Sequence, residues 1–261
     1  MKGRQLLRLS LQFMRVKAVP VALSAIDEER FGIRTARASA VTLETLPAVL
    51  HYCRDNRVVL LIARCLASEL TAAQAMERHG FALMDTLVYY ARDLTKGLVP
   101  TDAGAALVRP VRPGEEEAVK SVAAESFKGY FGHYHADPRL DPAKCDEAYT
   151  DWAYRSCVSR EVADEVLVAV LDGVVAGFTT LRLDGRREGE ILLFGVAPVV
   201  QRRAVSQSLG VGAMRWCSSK DAARLTVSTQ ITNVASQKVW TRLGFEPSHA
   251  HYTFHKWFDA S

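Results

Sequence analysis

The chain has 261 residues, of which 49% are hydrophobic and 24% charged, and this provides apolar material for one large or two small globular domains. The net charge of +4 comes from dispersed basic residues, which argues against nucleic acid as a partner and weakly for a small anionic ligand. The five cysteines include no C-x-x-C pair, which argues against a disulfide framework or a zinc site and for the reduced thiols of a cytoplasmic protein.

The first half of the chain alternates helical and strand patterns. Its opening segment is cut by Arg4, Arg8 and Arg15, so we expect neither a signal peptide nor a membrane span. Residues 95–104 contain two glycines and a proline without apolar periodicity and indicate a linker. We therefore predict a small α/β domain over residues 1–98 and a second domain over residues 105–261. The elements predicted in the first domain are a helix, a buried strand, a helix and a strand over residues 42–55, 58–65, 70–79 and 82–93.

The second half contains a longer series of elements. A helix after residue 113 opens with three glutamates, which the helix dipole favours there. Asp172 and Gly173 indicate a hairpin, because a tight turn needs positive φ. The other predicted elements are strands at 106–111, 165–171, 174–183, 190–196 and 225–229, helices at 142–158, 203–219 and 233–242, and a strand pair at 246–258. This order predicts an α/β fold with a mixed central sheet and helices on both faces.

A short internal repeat connects the two halves. A strand at 61–65 and a helix that ends in Gly80-Phe81 have the same layout as a strand at 225–229 and a helix that ends in Gly244-Phe245. Chance is one explanation of so short a match. If the repeat is real, the first domain is a degenerate half-copy of the second.

Residues 196–210 form a junction between a strand and a helix that has the features of an anion site. Pro198 cannot donate a ladder hydrogen bond, so the strand is expected to end or splay near it. The first N–H groups of the helix have no internal partners, and the helix dipole attracts negative charge there. Arg202 and Arg203 stand at the same point. The alternative is an ordinary surface helix with basic residues at its start.

Two motifs resemble those of the GNAT superfamily of CoA-dependent N-acyltransferases. Residues 201–206 are similar to the acetyl-CoA motif Q/R-x-x-G-x-G/A, with Ala204 and Ser206 in place of glycines, and both replacements tolerate helical backbone angles. Residues 233–245 resemble the helix N-x-x-A-x-x-x-Y-x-x-x-G-F, with Trp240 at the tyrosine. The resemblance implies the GNAT fold and acetyl-CoA or another acyl-CoA as co-substrate, with no metal. The implied cofactor contacts are Phe194, Val196, Arg202, Arg203, Ala204, Val205, Ser206, Gln207, Ser208, Asn233, Ser236 and Trp240.

The same resemblance bears on catalysis. Glu190 aligns with the strand on which many GNAT enzymes carry a glutamate base, which is needed because an amine arrives largely as ammonium. Alternation along the strand predicts Glu190 on one face with Phe194, and Ile191 on the other. The alternative for Glu190 is an exposed carboxylate at a strand start. Trp240 stands where a tyrosine is proposed to protonate the leaving thiolate, but an indole N–H is no practical acid, so packing is its expected role.

Residues 127–139 join two helices and contain many aromatic and histidine side chains. In GNAT proteins this connection shapes the acceptor pocket, and aromatic faces with hydrogen-bonding His or Asp suit a sugar–nucleotide. His133 and His135 are also alternatives to Glu190 as the catalytic base. A metal site built on this His-x-His pair and a packed aromatic loop are the two other interpretations. The predicted substrate-binding residues are Tyr130, His133, Tyr134, His135, Tyr149 and Trp152.

The C-terminal half also resembles a narrower group, the TDP-fucosamine acetyltransferases and related nucleotide-amino-sugar N-acyltransferases. The likeness lies in residues 203–216, 226–233 and 252–257 and in a Y-x-x-W pattern at Tyr149 and Trp152. It implies acyl transfer from acyl-CoA to the amino group of a nucleotide-linked deoxyamino sugar for cell-surface polysaccharide, by direct attack in a ternary complex. A strand splay near Val196 would present a backbone N–H to the thioester oxygen.

The partner expected from this resemblance is a small nucleotide sugar, without nucleic acid or a membrane, and a homodimer is left open. Two other functions compete. One is acetylation of a protein amine or a small polyamine. The other is a non-catalytic acyl-CoA-binding module, which the missing motif glycines and the missing tyrosine favour.

Overall fold

One mixed sheet of ten strands organises the chain in the computed structural model, which describes residues 19–102, 104, 106–185, 187–200 and 203–258. The strands are β1 (Val21–Leu23), β2 (Thr35–Ala38), β3 (Leu60–Leu66), β4 (Ala82–Asp93), β5 (Leu107–Pro110), β6 (Glu165–Leu171), β7 (Val174–Leu183), β8 (Glu188–Val196), β9 (Arg224–Gln230) and β10 (Glu246–Trp257). Their spatial order is β1-β2-β3-β10-β4-β9-β8-β7-β6-β5. The pairs β2–β3 and β8–β9 are parallel and the other pairs are antiparallel.

Seven helices cover the two faces of this sheet within the described residues. They are α1 (Ala25–Phe31), α2 (Leu46–Asp55), α3 (Leu70–Arg78), α4 (Glu116–Ser126), α5 (Pro142–Val158), α6 (Val205–Ser219) and α7 (Val234–Arg242). Helices α2, α3, α6 and α7 pack on one face, called here the α6 face, and α1, α4 and α5 on the other, called the α5 face. This arrangement confirms the predicted mixed sheet with helices on both faces. None of the helices in the described ranges is both long and apolar enough to cross a membrane.

Local signals in the sequence explain several element boundaries. Asp141 Oδ1 accepts a hydrogen bond from Ala143 N–H at 2.9 Å, and Pro142 occupies the first turn, so α5 has both a cap and a preset start. Asp172 and Gly173 have φ values of 53° and 80°, as the turn between β6 and β7 requires. These elements begin and end where the sequence analysis predicted.

The last strand differs from the prediction. Residues 246–258 were expected to form a strand pair, and the structure has one strand of 12 residues, β10. Its register shifts between Pro247 and His249 and between Thr253 and Phe254. β4 pairs with β10 along most of its length, and β3 pairs with it from His251 to Trp257, so the strand continues through these irregularities without a turn.

The units β3-α3-β4 and β9-α7-β10, which correspond to the predicted repeat, exchange their second strands. In the sheet, β10 lies between β3 and β4, and β4 lies between β10 and β9. Each unit has a left-handed glycine after its helix, Gly80 with φ 77° and Gly244 with φ 78°. The exchange makes the N-terminal and C-terminal parts members of one sheet. The predicted domain boundary at residues 98–105 stays a prediction.

Candidate active site

Strand β8 has a bulge at Leu192 and then separates from β9. Thr180 and Leu181 of β7 pair with Leu193 and Ile191, which leaves Leu192 as an extra residue on β8. The pairing of β8 with β9 ends at Ile191, although both strands continue beyond this point. The two parallel strands therefore leave an opening in the middle of the sheet.

The bulge also changes which face each side chain occupies. Ile191 packs in the core with α6, and Leu193, two positions later, packs in the core with α4. Glu190 therefore points toward the α5 face, while Phe194 packs on the α6 face. The prediction that Glu190 and Phe194 share a face is wrong, because one extra residue shifts the two-residue period of a strand.

A cavity of about 520 Å³ lies at this opening. Its walls come from both faces of the sheet, so it connects the surroundings of α7 to those of α5. Two predicted cofactor contacts, Val196 and Val205, pack in the core instead. The predicted site residues that line it are Phe194, Asn233, Ser236 and Trp240 on the α6 face, Tyr130, His133, Tyr134, Tyr149 and Trp152 on the α5 face, and Glu190 between them.

The start of α6 offers backbone donors. Ala204 caps the helix with φ 57°, a left-handed angle that the sequence analysis did not expect and that glycine adopts without strain. Ser208 N–H donates to Ala204 O at 3.1 Å. The preceding N–H groups, at Val205, Ser206 and Gln207, belong to the first turn, which lacks acceptors inside the helix. These three groups and the helix dipole can meet an anion.

Two polar side chains at the start of α6 already have partners. Ser208 is fully buried, and its hydroxyl donates to Asp102 Oδ1 at 2.6 Å. Gln207 Nε2 donates to Thr101 O at 3.3 Å. Because both the N–H and the hydroxyl of Ser208 already donate to protein oxygens, Ser208 has no free donor for an anion.

Of the two arginines predicted to bind phosphate at the start of α6, the structure describes Arg203. Arg203 is exposed and lies 3.9 Å from Asp172, a surface ion pair that is worth little and leaves Arg203 able to turn toward a ligand. Arg202 and Gln201 lie outside the described residues.

Helix α7 presents two residues to the cavity. Asn233 Oδ1 accepts from Ser236 N–H at 3.1 Å and caps the helix, which leaves the amide N–H groups of Asn233 for a ligand. Trp240 is 3% exposed and packs edge-on against Phe194, with ring centroids 4.9 Å apart. Its Nε1 is buried without a hydrogen-bond partner. The indole thus packs as expected and also carries an unused donor.

Glu190 is half-buried beside the opening. Its neighbours on the adjacent strands are Arg182 and Thr226. Burial raises the pKa of Glu190 above the ordinary carboxyl value, although the charges of Arg182 and Arg64 oppose this. A carboxylate with a raised pKa on the cavity wall is suited to accept a proton from an amine.

His133, His255 and Asp137 form a buried hydrogen-bonded chain that reaches the cavity. Asp137 Oδ2 lies 2.7 Å from His255 Nδ1, and His255 Nε2 lies 2.9 Å from His133 Nδ1. Burial acts to raise the pKa of Asp137, but hydrogen bonds from His255 and Trp257 outweigh it, so the pKa is lowered. An ionised Asp137 holds a proton on His255 Nδ1, and His255 Nε2 then accepts from His133. His133 Nε2 is left as an acceptor.

The remaining aromatic residues are held in place by contacts around the cavity. Tyr134 O–H donates to Asp27 Oδ1 at 2.7 Å, and Arg37 binds both Tyr134 and Asp27. Tyr130 and Tyr149 pack edge-on, with ring centroids 5.0 Å apart. The result is a preformed aromatic wall on the α5 face.

His135 is directed away from the cavity. Its Nδ1 accepts from Gly132 N–H at 3.3 Å, and its Nε2 lies 3.0 Å from Asp146 Oδ1. With both ring nitrogens occupied, His135 does not have the geometry of a base or a substrate contact. Across the described ranges, no group of three or more His, Cys, Asp or Glu side chains is placed to hold a metal ion.

Three residues at the site, Arg64, Asp85 and His255, were not among the predicted site residues. Arg64 and Asp85 line the cavity, and His255 supports His133. A signal was present for Arg64, because it interrupts the apolar run at residues 58–65.

Comparison with known proteins bears on this geometry. The sequence model of the Acetyltransferase (GNAT) family matches residues 126–245, which include the bulged strand, the start of α6 and α7. The chain contains a GNAT acetyltransferase domain. This finding confirms the resemblance to the family over residues 126–245.

Three proteins illustrate what the GNAT domain and its surroundings are similar to. The spore coat polysaccharide biosynthesis protein SpsD of Bacillus subtilis (strain 168) is 26% identical over 151 residues, which cover 57% of this chain and 50% of SpsD. A GCN5-related N-acetyltransferase from Sphaerobacter thermophilus has a TM-score of 0.63 at 15% identity, with 92% of this chain and 77% of that chain covered. A tandem GNAT protein from the clavulanic acid biosynthesis pathway has a TM-score of 0.62 at 17% identity, with 88% and 77% covered. The two structures show the shared fold, and the tandem protein agrees with a half-copy before the GNAT domain.

Proposed function

We propose that the chain transfers an acetyl or another short acyl group from acyl-CoA to the amino group of a nucleotide-linked deoxyamino sugar. The family match supports CoA as the donor. The name of SpsD supports a carbohydrate acceptor and a place in the synthesis of surface polysaccharide, although the match spans only half of that protein. The observation that carries the proposal is the cavity at the opening of the sheet, because it joins a donor side to an acceptor side.

Acyl-CoA would bind on the α6 face. The free N–H groups at Val205, Ser206 and Gln207 would bind the pyrophosphate, and the amide of Asn233 would donate to the pantetheine arm. The residues fit such a ligand because the buried Nε1 of Trp240 lacks a partner at the place where the chain would enter the opening. Bound there, acyl-CoA supplies the acyl group as a thioester.

The acceptor would bind on the α5 face, where Tyr130, Tyr149 and Trp152 offer aromatic surfaces to a base or a sugar ring. Glu190, between the two sides, would accept the proton that the ammonium group must lose before it can attack. The amine nitrogen then forms its bond to the acyl carbon, the C–S bond breaks, and the thiolate leaves. The second proton that the nitrogen loses as the amide forms passes to water.

The bulge supplies a second element of the reaction. Beyond Ile191, the edge of β8 that faces β9 has no strand partner. A backbone N–H on this edge would donate to the thioester oxygen, where charge develops during attack. The sequence analysis expected the splay near Val196, and the structure places the separation of the strands at Leu192.

Two measurements on the purified chain test the proposal. Isothermal titration with acetyl-CoA measures donor binding, and a free-thiol assay measures transfer to amino-sugar nucleotides, free amino sugars and a polyamine. We expect binding of acetyl-CoA and thiol release that is fastest with the amino-sugar nucleotides. Binding without thiol release from any amine would support the non-catalytic module instead. Faster release with the polyamine would favour the small-amine alternative.

A further inference from the structure

Four arginines line the cavity, and Arg64 is the one whose guanidinium has no partner within the part of the chain that the structure describes. Arg30 and Arg37 are each paired with an aspartate. Arg182 donates to two backbone carbonyl oxygens. Arg64 makes no ion pair or hydrogen bond to any described residue, and its Nε is buried without a partner. Its charge is therefore uncompensated by contacts in the protein.

The groups beside Arg64 on the same face of the sheet are also unsatisfied. Thr253 of β10 pairs in register with Arg64 of β3 on one side and with Asp85 of β4 on the other. Among the residues that the structure describes, Thr253 Oγ1 and Asp85 Oδ1 are buried without hydrogen-bond partners, whereas Asp85 Oδ2 accepts from Gln230 Nε2 at 3.2 Å. Of the three residues, Arg64 and Asp85 line the cavity, and Thr253 lies fully buried between them. Buried polar groups without partners are unfavourable in a folded protein unless another molecule satisfies them, and of these three residues Arg64 and Asp85 border the space in which one could bind.

Arg64 also lies within electrostatic reach of the proposed chemistry. Burial is the largest influence on the pKa of Glu190 and on that of His133, and the charge of Arg64 adds a lowering contribution to both. Arg64 therefore lies near the two candidate proton acceptors on the wall of the same cavity, on the α5 side where the amine is proposed to arrive.

We propose that Arg64 binds an anionic group of the amine acceptor, a phosphate or a carboxylate, while Asp85 accepts a hydrogen bond from a hydroxyl group of the same molecule. This inference rests on the proposed function, since it concerns the acceptor side of the same cavity. A guanidinium presents a planar set of N–H donors that matches the oxygens of a phosphate or a carboxylate. Arg64 is half-buried on the cavity wall, and the lower dielectric of a half-buried position strengthens such a contact. A nucleotide diphosphate and a sugar acid are two sources of this group.

The test uses anions that carry no reactive amine. TDP and glucuronic acid are titrated separately, in the presence of CoA, into the wild-type chain and into three variants. Arg64→Gln removes the charge, Arg64→Lys keeps it without the planar donors, and Thr253→Val is an isosteric change next to Arg64 that does not border the cavity. A circular dichroism spectrum and a melting curve establish that each variant is folded.

We expect one of the two anions to bind the wild type. Its Kd should rise about ten-fold or more in Arg64→Gln, less in Arg64→Lys, and little in Thr253→Val. Binding of TDP would identify the diphosphate as the source, and binding of glucuronic acid the carboxylate. Equal affinity in wild type and Arg64→Gln, or no binding of either anion to wild type, would overturn the inference. If Arg64→Gln does not fold, Arg64→Lys decides, because an unchanged Kd there contradicts a bidentate contact.

Failure of this inference can be distinguished from failure of the proposed function. Thiol release from amino-sugar nucleotides at equal rates in wild type and Arg64→Gln would contradict the anion site and leave acyl transfer standing. Arg64-dependent binding of TDP without thiol release from any amine would contradict acyl transfer and leave the anion site standing.

Discussion

His133 Nδ1 lies 2.9 Å from His255 Nε2, although 122 positions separate the two residues in the chain. Asp137 completes the contact, because its carboxylate fixes the proton of His255 on the far nitrogen. Burial is the main cause that lowers the pKa of His133 well below its ordinary value, and the positive charge of Arg64 acts in the same direction. His133 is therefore a neutral, oriented side chain on the cavity wall.

This lowered pKa predicts how stability changes with pH. In the unfolded chain His133 takes up a proton as the pH falls through about 6.5, whereas in the folded chain it stays neutral. The contribution is therefore fully present above about pH 6.5 and is lost as the pH falls toward the folded-state pKa. Melting temperatures measured from about pH 7.5 to about pH 5 should fall less steeply for His133→Asn than for wild type. His51→Asn, at an exposed position, is the control and should follow the wild type. Parallel curves for all three proteins would contradict the pKa shift.

The two candidate bases, Glu190 and His133, can be distinguished by the effect of their substitution on kcat and KM. As the base, Glu190 should give a kcat that falls by roughly 10²-fold or more in Glu190→Gln. Because its pKa is raised, the rate of the wild type should decline on the acidic side at a pH above the ordinary carboxyl value of about 4.3. His133→Asn should mainly raise the KM for the acceptor, and His135→Asn, outside the cavity, should leave both constants near those of wild type. A fully active Glu190→Gln enzyme beside an inactive His133→Asn enzyme would move the base to His133.

The start of α6 can be tested with one added charge. Ser206→Asp places a carboxylate among the free N–H groups, where it should repel the phosphates of CoA while the helix dipole tolerates it. We expect weaker CoA binding by titration, with an unchanged melting temperature. Ser218→Asp adds the same charge on the exposed surface near the other end of α6 and should bind CoA as the wild type does. The same affinity in both variants would exclude this segment as the phosphate site.

Ala204 offers a test of stability. Its φ of 57° strains an alanine but not a glycine. Ala204→Gly should therefore raise the free energy of unfolding by about 1 kcal/mol and the melting temperature by about 2–4 °C. Ala124→Gly, at an exposed position within α4, should have the opposite sign, since glycine in a helix interior costs about 1 kcal/mol. Destabilisation by Ala204→Gly would show that the left-handed cap is not a source of strain.

Variants of Trp240 distinguish a packing role of the indole ring from a hydrogen-bonding role of its Nε1. Trp240→Ala should lower the free energy of unfolding by about 3–5 kcal/mol, because it empties a buried site between Phe194 and Phe245. Trp240→Phe keeps an aromatic ring and removes the unpartnered Nε1, so it should be much closer to the wild type in chemical denaturation. Weaker binding of acetyl-CoA to a stable Trp240→Phe protein would show that the indole donor contacts the donor substrate. A Trp240→Ala protein as stable as wild type would contradict the packing role.

Much of the fold and of the donor side could be predicted from the sequence. The strand at 82–93, the helix at 142–158 and the hairpin around Asp172 are set by local periodicity, capping and turn chemistry, and the structure has them at the predicted bounds. The motifs at residues 201–206 and 233–245 identified the family because each is a short run of neighbouring residues. Local rules of this kind need only neighbouring residues, and a sequence displays those directly.

Tertiary structure alone decided the positions of the remaining parts. The bulge at Leu192 moves Glu190 and Phe194 to opposite faces, and it depends on the register with β7, which no local pattern encodes. The exchange of β4 and β10 brings Arg64, Thr253 and Asp85 into one row from three distant segments. His133 was predicted as a site residue. The hydrogen bond that orients it is made with His255, so it depends on the position of β10 next to the loop at residues 127–139. Hydrogen bonds between strands, and contacts between buried charged groups, join residues that are far apart in the sequence. The sequence therefore determined the elements and their chemistry, and the packing of the sheet decided which of these groups meet.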